Sequence, residues 1–356
     1  MTQALADYTT LGLGGPARSF VSAATEAELI DAVKAADAAA EPVLLIGGGS
    51  NLVISDEGFP GTVIHVNTRG IGYGGAAEGI GGAEGAVDVT VAAGQDWDDV
   101  VAATVAEGLA GLESLSGIPG RAGATPIQNV GAYGREVAEV ITRVRVYDRQ
   151  EDRVLVIGNG ECAFAYRTSL FKSTGARYVV LDVTFRLAAQ TLSLPVKYAE
   201  LAGELGVALG ERAGVGEVRS AVLKIRARKG MVLSPGDPDT RSAGSFFTNP
   251  IITAAEFAAV EGAAAARGAG PVPHYEAGAG LVKVPAAWLI EHAGFAKGYG
   301  APAPARVSSK HTLALVNAGN ATTADLLALA REIVSGVHSA YGVTLTPEPI
   351  LIGVSL

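Results

Sequence analysis

Residues 118–134 read I-P-G-R-A-G-A-T-P-I-Q-N-V-G-A-Y-G and limit the fold more sharply than any other stretch of the chain. Four glycines and two prolines among seventeen residues exclude a helix interior or a central strand, since glycine raises the entropic cost of ordering and proline withdraws a backbone N–H. The stretch is also poor in charge and holds Gln128, Asn129 and Tyr133, which sets it apart from a solvated linker. It reads as an ordered loop held against something flat and polar.

Glycine lets a backbone come within hydrogen-bonding distance of a ligand, and amide side chains meet the mixed donors and acceptors of a heterocycle such as a flavin. A buried structural loop with glycines at positive φ accounts for the same residues. The remainder of the chain has to separate the two. Its 356 residues give room for two or three domains and a sizeable core. Hydrophobic residues make up 49% and charged residues 18%, the balance of a compact globular protein.

No apolar run approaches the ~18 residues of a membrane span, and the start, M-T-Q-A-L-A-D, lacks the basic and apolar regions of a secretory signal. A cytoplasmic protein is expected. The single cysteine, Cys162, rules out an intrachain disulfide and a Cys-rich metal site, and reads as a small buried apolar residue. A net charge of −9 argues against nucleic acid or an anionic membrane as partner, so an anionic ligand would need its positive charge concentrated locally.

Residues 8–17 are rich in turn formers. T-E-A-E at 25–28 has capping-box spacing and opens a helix to about residue 40, where Pro42 intervenes. V-L-L-I at 43–46 reads as a strand, then G-G-G-S-N at 47–51, then a second strand at 52–54. A dinucleotide fingerprint needs a helix directly after its glycines, which is missing here. A hairpin of G-G-G-S-N would still present a nest of backbone N–H groups to a diphosphate.

Strands are expected at 62–66 and 87–92, a helix at 97–107, a hairpin pair at 140–147 and 153–157, a strand at 178–187 and a helix at 215–229. The stretch 230–241, G-M-V-L-S-P-G-D-P-D-T-R, marks a domain boundary. Beyond it lie helices at 254–267, 285–293 and 323–341 and strands at 313–316 and 350–354. This order is not a strict βαβ alternation, and the fold class is α+β.

Four further places can carry chemistry. A-G-S-F-F-T-N-P at 243–250 sets Ser245 between a glycine and two aromatics, without the spacing of a nucleophile elbow; an ordinary turn serine fits as well. In Y-R-T-S-L-F-K at 166–172, Arg167 suits a bidentate clamp on a carboxylate or a surface ion pair. Arg226, Arg228 and Lys229 form a positive cluster at a helix C-terminus, where the helix dipole favours it anyway. Glu348 stands between two prolines that fix its backbone direction.

Jointly these motifs, with Tyr166-Arg167 and with Lys283 ahead of A-A-W-L-I at 286–290, follow the order found in the UDP-N-acetylenolpyruvoylglucosamine reductase family (UDP-N-acetylmuramate dehydrogenases). The chain resembles that family over nearly its whole length, and the subclass with a substrate-covering tyrosine loop in particular. The resemblance implies a vanillyl-alcohol-oxidase-type (PCMH-type) FAD-binding domain plus a smaller C-terminal α/β substrate-binding domain. The expected division is 1–70 and 71–230 for two FAD-binding subdomains and 231–343 for the substrate domain, with a strand near 344–356 returning to the first.

It implies an oxidoreductase with noncovalent FAD and NADPH as cosubstrate, acting in peptidoglycan precursor synthesis. Hydride passes from NADPH to flavin N5 and on to C3 of the enolpyruvyl group of UDP-N-acetylglucosamine enolpyruvate, and a proton at C2 completes UDP-N-acetylmuramate. The ligands are small molecules, and a monomer is expected. By matching, Gly47, Gly48, Gly49, Ser50 and Asn51 meet the FAD diphosphate, and Pro119, Gly120, Gly123, Gln128, Gly131, Ala132 and Tyr133 lie along the cofactor.

Arg167, Ser245 and Glu348 fall on the family's catalytic arginine, proton donor and glutamate. Tyr198 matches the loop tyrosine over the uridine nucleotide, and Arg226, Lys229, Asn249, Lys283 and His311 fall among the substrate-binding positions. The residue types suit the reaction: negative charge developing on C2 and its carboxylate calls for an arginine, and a basic carbanion takes a proton from a neutral hydroxyl. A glutamate beside an anionic substrate is pushed towards its neutral form.

Two departures stand out. The family often has an arginine two positions after the glutamate, where this chain has Ile350, and the segment from Lys229 to Ser245 is long. The rival enzyme is a flavin oxidase of the same FAD fold; none of His65, His274, His292, His311 or His338 lies in the two flavin loops, which counts against its covalently tethered members. A nonenzymatic nucleotide-binding module would explain the glycines, but not Ser245, Arg167 and Glu348 together.

Overall fold

The structure, a computed structural model, describes residues 3–74 and 85–356. By their contacts these divide into two compact units, the first built mainly from Ala17–Gly48 and Pro60–Arg228 and the second from Ala4–Pro16, Gly49–Phe59 and Lys229–Leu356.

The first unit begins with two sheets. In the smaller, Phe59–Val66 lies between Ala17–Ala23 and Val43–Ile46, pairing in parallel with the latter. The helix Glu26–Ala38 covers it through Leu29 and Val33, and its capping box forms as the sequence predicts: Thr25 Oγ1 accepts the Glu28 N–H at 3.2 Å while Glu28 Oε2 accepts the Thr25 N–H at 3.1 Å. The strand Ala17–Ala23 has no counterpart in the sequence reading, because its polar and apolar residues do not alternate cleanly.

The larger sheet is antiparallel, in the order Arg153–Gly158, Ile141–Asp148, Tyr178–Ala189, Ala86–Ala92, Ile71–Gly74, with the short strand Leu109–Ala110 also on Tyr178–Ala189. Its inner face buries Val89, Val91, Val144, Val146, Val183 and Phe185. Trp97, opening the helix Trp97–Ala106, packs on Phe185 at 5.6 Å between ring centroids. Each such side chain contributes about 1.5–3 kcal/mol on burial, which makes this sheet a firm base for the charge-poor loop bonded to Ala93 and Gln95, just past the end of Ala86–Ala92. Cys162 is buried as expected, and burial pushes its thiol up to about 12. A separate cluster of Val196, Leu201, Val218, Val222 and Ile225 joins the helices Ala199–Leu205 and Val215–Arg228.

In the second unit, Leu52–Ile54 pairs in parallel with Ile350–Ile352, so the chain end returns to a strand near the start. The hairpin expected across residues 47–51 is not formed: Val43–Ile46 and Leu52–Ile54 belong to different sheets. Gly49 takes φ +56° and lies so close to the chain start that a Cβ would fall 1.9 Å from the Tyr8 carbonyl oxygen. That packing, with Thr10 N–H donating to Gly49 O at 3.3 Å, directs the chain away instead of back.

The remaining core of this unit packs the helices Ala254–Ala266, Ala286–His292 and Thr323–Tyr341 with the hairpin Ala305–Val307 and Leu315–Asn317, burying Phe246, Phe247, Leu289, Ile290, Val307, Leu326 and Ile333. A small sheet places Leu281–Lys283 between Ile251–Thr253 and Tyr275–Glu276. Among the described residues no helix is long and apolar enough to cross a membrane.

Candidate active site

The loop at 118–134 is fastened to the first unit by its backbone. Trp97 N–H donates to Gly120 O at 3.1 Å, Ala122 N–H to Gln95 O at 2.9 Å and Gly123 N–H to Ala93 O at 2.8 Å. The preceding residues are tied by side chains, Trp97 Nε1 donating to Leu115 O at 3.1 Å and Asp98 Oδ1 accepting the Gly117 N–H at 2.6 Å. Close approach explains the glycines: a Cβ on Gly48 would sit 2.8 Å from Gly120 Cα, and one on Gly123 2.5 Å from Ala93 Cβ. The Gly48 N–H donates to no backbone carbonyl among the described residues. Two glycine ribbons in contact, one of them with an N–H that no backbone carbonyl of the described residues takes up, fit a flat cofactor with a diphosphate.

Further along the loop, Asn129 and Tyr133 adopt positive φ. Asn129 is buried and used internally: its Nδ2 donates to Glu136 Oε2 at 2.7 Å and Ala165 O at 3.2 Å, and its Oδ1 accepts the Ala138 N–H. Arg167, also at positive φ, donates through Nη2 to Gly131 O at 2.9 Å and lies over the Tyr166 ring at 5.3 Å. Its guanidinium is thereby set beside the loop, and a Cβ on Gly131 would come within 3.3 Å of it.

Tyr133 meets Tyr198 edge-on at 5.5 Å, and burial pushes the Tyr133 hydroxyl up to about 12. The positive cluster expected at the end of Val215–Arg228 is divided. Arg226 and Arg228 are two residues apart and face opposite ways on the helix: Arg226 is buried, where desolvation lowers its pKa while Tyr133 raises it, and Arg228 pairs with Glu204 at 2.8 Å. Arg226 therefore stands behind Tyr133 within the first unit.

In the second unit Ser245 and Glu348 lie on neighbouring backbones. Glu348 N–H donates to Phe246 O at 2.9 Å and Thr248 N–H to Thr346 O at 3.1 Å. Both residues are half-buried, and the serine is held by Phe246 and Phe247, two fully buried rings 5.1 Å apart. Asn51 belongs to the same group: its Nδ2 donates to Glu348 O at 3.3 Å and its carbonyl accepts the Ile350 N–H at 2.9 Å. The N–H groups of Gly49 and Ser50 donate to no backbone carbonyl among the described residues.

The Asn249 side-chain oxygen accepts the Ala286 N–H at 2.9 Å, so its NH2 group is the part that can face a ligand. Lys283 and Tyr275 are register partners on the small sheet, and Tyr275 is 56% exposed. An aromatic face beside an ammonium group suits a nucleotide, and Tyr275 joins the candidates although no sequence motif singled it out. Lys229 and His311 are half-buried.

Comparison with known proteins shows the family. Residues 17–158 match the model of an FAD binding domain, and residues 237–352 match that of the UDP-N-acetylenolpyruvoylglucosamine reductase C-terminal domain. Fold and site thus define an FAD-dependent oxidoreductase. The chain is 56% identical to the UDP-N-acetylenolpyruvoylglucosamine reductase of Thermobifida fusca over 99% of its own length and 97% of the relative's, and 56% identical to that of Streptomyces coelicolor, over 99% and 90%. The crystal structure of the reductase from Thermus caldophilus superposes with a TM-score of 0.63 at 25% identity, covering 99% of this chain and 98% of that one. The chain belongs to the UDP-N-acetylenolpyruvoylglucosamine reductase family.

Proposed function

We propose that this chain reduces UDP-N-acetylglucosamine enolpyruvate to UDP-N-acetylmuramate at the expense of NADPH, a step of peptidoglycan precursor synthesis. The observation that carries the reading is the lacing of the Ser245 and Glu348 segments by the Glu348–Phe246 and Thr248–Thr346 hydrogen bonds, inside the part of the chain that matches the reductase C-terminal domain. Residues 47–51 and 118–134 would hold FAD, which when bound would supply the hydride taken from NADPH.

The chain's own residues do the rest. Arg167, held by the Gly131 carbonyl, stabilises charge as it develops on the substrate carboxylate. Ser245 gives its hydroxyl proton to C2, a transfer that needs placement more than a lowered pKa. Glu348, fixed between prolines, hydrogen-bonds the carboxylate. Tyr198, Lys229, Asn249, Lys283 and His311 receive the nucleotide, and Arg226 supports it through Tyr133. In this reading 1–70 and 71–230 form the FAD-binding subdomains and 231–343 the substrate domain of a cytoplasmic monomer.

The test is anaerobic stoichiometry. One NADPH consumed per UDP-N-acetylmuramate formed, with no consumption when the enolpyruvyl substrate is left out, is the expected result. NADPH consumption that ignores this substrate and requires oxygen favours the oxidase instead.

A further inference from the structure

Between Lys229 and Ser245 runs a strap rich in Gly, Pro and Asp whose composition suits a solvated linker. Residues 233–236 are exposed as a linker would be, but the stretch that follows is not. Asp239 is 5% exposed, and a carboxylate taken out of water is costly unless it is hydrogen-bonded. Ser309 provides both partners, its N–H donating to Oδ1 at 3.1 Å and its hydroxyl to Oδ2. Asp237, two residues earlier, accepts the Asp239 N–H at 3.1 Å and pairs with Lys310, which holds the Asp237 carboxyl below the usual carboxylate range. Two aspartates of the strap therefore grip Ser309 and Lys310, the residues just before His311.

Both ends of the strap meet this grip. Next to Lys229, Gly230 takes φ +67°, and a Cβ there would lie 3.2 Å from Asp239 O and 3.4 Å from Lys310 Cδ. Towards Ser245, Arg241 O accepts the Asn317 N–H at 3.0 Å and Phe246 N–H donates to Leu313 O at 2.7 Å. The turn that carries His311 is closed on itself by Ser308 N–H to Ala314 O at 2.8 Å and Ala314 N–H to His311 O at 3.1 Å. It is thus seized on one side through Ser309 and Lys310 and on the other through Leu313.

We propose that Asp239 is a positioning residue for substrate binding: through Ser309 and the packed Gly230 it fixes the His311 turn and the approach to Lys229 as one piece with the Ser245 segment. The inference rests on the substrate roles given above to Lys229, His311 and Ser245. It predicts a division of effects, because Ser245 keeps its own anchors, the Phe246–Leu313 and Glu348–Phe246 hydrogen bonds, when Asp239 is altered. Loss of the grip lets the nucleotide-binding residues wander while the proton donor stays in place.

Steady-state kinetics of the FAD-loaded enzyme decide the matter. Asp239→Asn and Ser309→Ala should each raise KM for UDP-N-acetylglucosamine enolpyruvate about tenfold with kcat within about threefold, since uniform binding and not transition-state stabilisation is lost. Flavin content stays at the wild-type ratio. The two changes together should cost little more than either alone, as residues acting through one shared contact do, and Ser309→Thr, which keeps the hydroxyl, should leave KM within about twofold of wild type.

An unchanged KM in both single variants overturns the proposal, as does a fall in kcat without a rise in KM, which is what a merely structural role produces. Should Asp239→Asn fail to fold, Ser309→Ala, which removes one hydroxyl, decides on the same criteria. A wild-type enzyme that holds FAD and never turns over the enolpyruvyl substrate sinks the functional reading and this inference with it. Normal wild-type turnover with unaltered KM in the variants sinks this inference alone.

Discussion

The loop at 118–134 and the segment at 243–250 both carry proposed site residues and both use backbone hydrogen bonds, yet what packs around those bonds differs. The loop is specified by backbone contact: Gly48 against Gly120, Gly123 against Ala93, and a ladder of N–H groups onto Gln95 and Ala93. The serine segment also has backbone bonds, to Leu313, Thr346 and Glu348, but it adds side-chain anchors that the loop's glycines cannot provide, Phe246 and Phe247, sunk in the core of the second unit. A Cβ on Gly244, next to Ser245, would meet nothing within 4 Å. At Gly48 and Gly123 the chain's own neighbouring residues leave no room for a methyl group, whereas the residue proposed as proton donor needs only a firm neighbour.

That contrast is most sharply tested at Ser245. Ser245→Ala leaves the phenylalanine anchors intact, so flavin reduction by NADPH should persist while reoxidation by the enolpyruvyl substrate slows by about 10²–10⁴. Equal slowing of both half-reactions would remove Ser245 from the acid role. Phe246→Ala should lower stability to urea by about 3–5 kcal/mol, and a loss below about 1 kcal/mol would break the claim that the rings anchor the segment.

Two glycine substitutions separate the regions directly. Gly123→Ala drives a Cβ to 2.5 Å from Ala93 Cβ, an overpacking worth about 1–3 kcal/mol, and should lower the flavin bound per mole of protein. Gly244→Ala meets open space and pays only for φ +72°, about 1 kcal/mol, with flavin content unchanged. If the two variants lose flavin equally, the distinction between backbone and side-chain specification fails.

The last effect, confined to high pH, concerns Tyr133. Its hydroxyl, raised by burial from 10.0 to about 12, is neutral in the folded protein at a pH where the unfolded chain already ionises. The stability this contributes is fully present below pH 10 and is lost as pH rises from there through 12. Chemical denaturation of Tyr133→Phe against wild type across that window should show a shallower decline for the variant; parallel declines would contradict the burial of this hydroxyl.

Much of this was legible in the sequence where local chemistry decides local structure. The T-E-A-E box, the apolar runs at 43–46 and 178–187 and the glycine loop all form where they were expected. What escaped reading depends on distant partners. The family resemblance implies that the C-terminal strand returns to residues 1–70, and it does so on Leu52–Ile54; nothing near the G-G-G-S-N turn could announce that this distant pairing takes the place of a hairpin with Val43–Ile46. The strands around Lys283 bear exposed residues such as Ile251 and Tyr275, so they lack the apolar period that marks a buried strand. Arg226 and Arg228 look alike in a string of letters, and only the helix separates them into a buried and a paired residue. Asp239 was hidden by a composition that elsewhere means solvent.

The most direct measurement of the central claim is anaerobic stopped-flow absorbance in the visible flavin band: the purified protein is reduced with NADPH and then mixed with UDP-N-acetylglucosamine enolpyruvate. Rapid return of the oxidised flavin spectrum, with no oxygen present, is the predicted result. A reduced flavin that persists with this substrate and is restored only by oxygen would contradict the account.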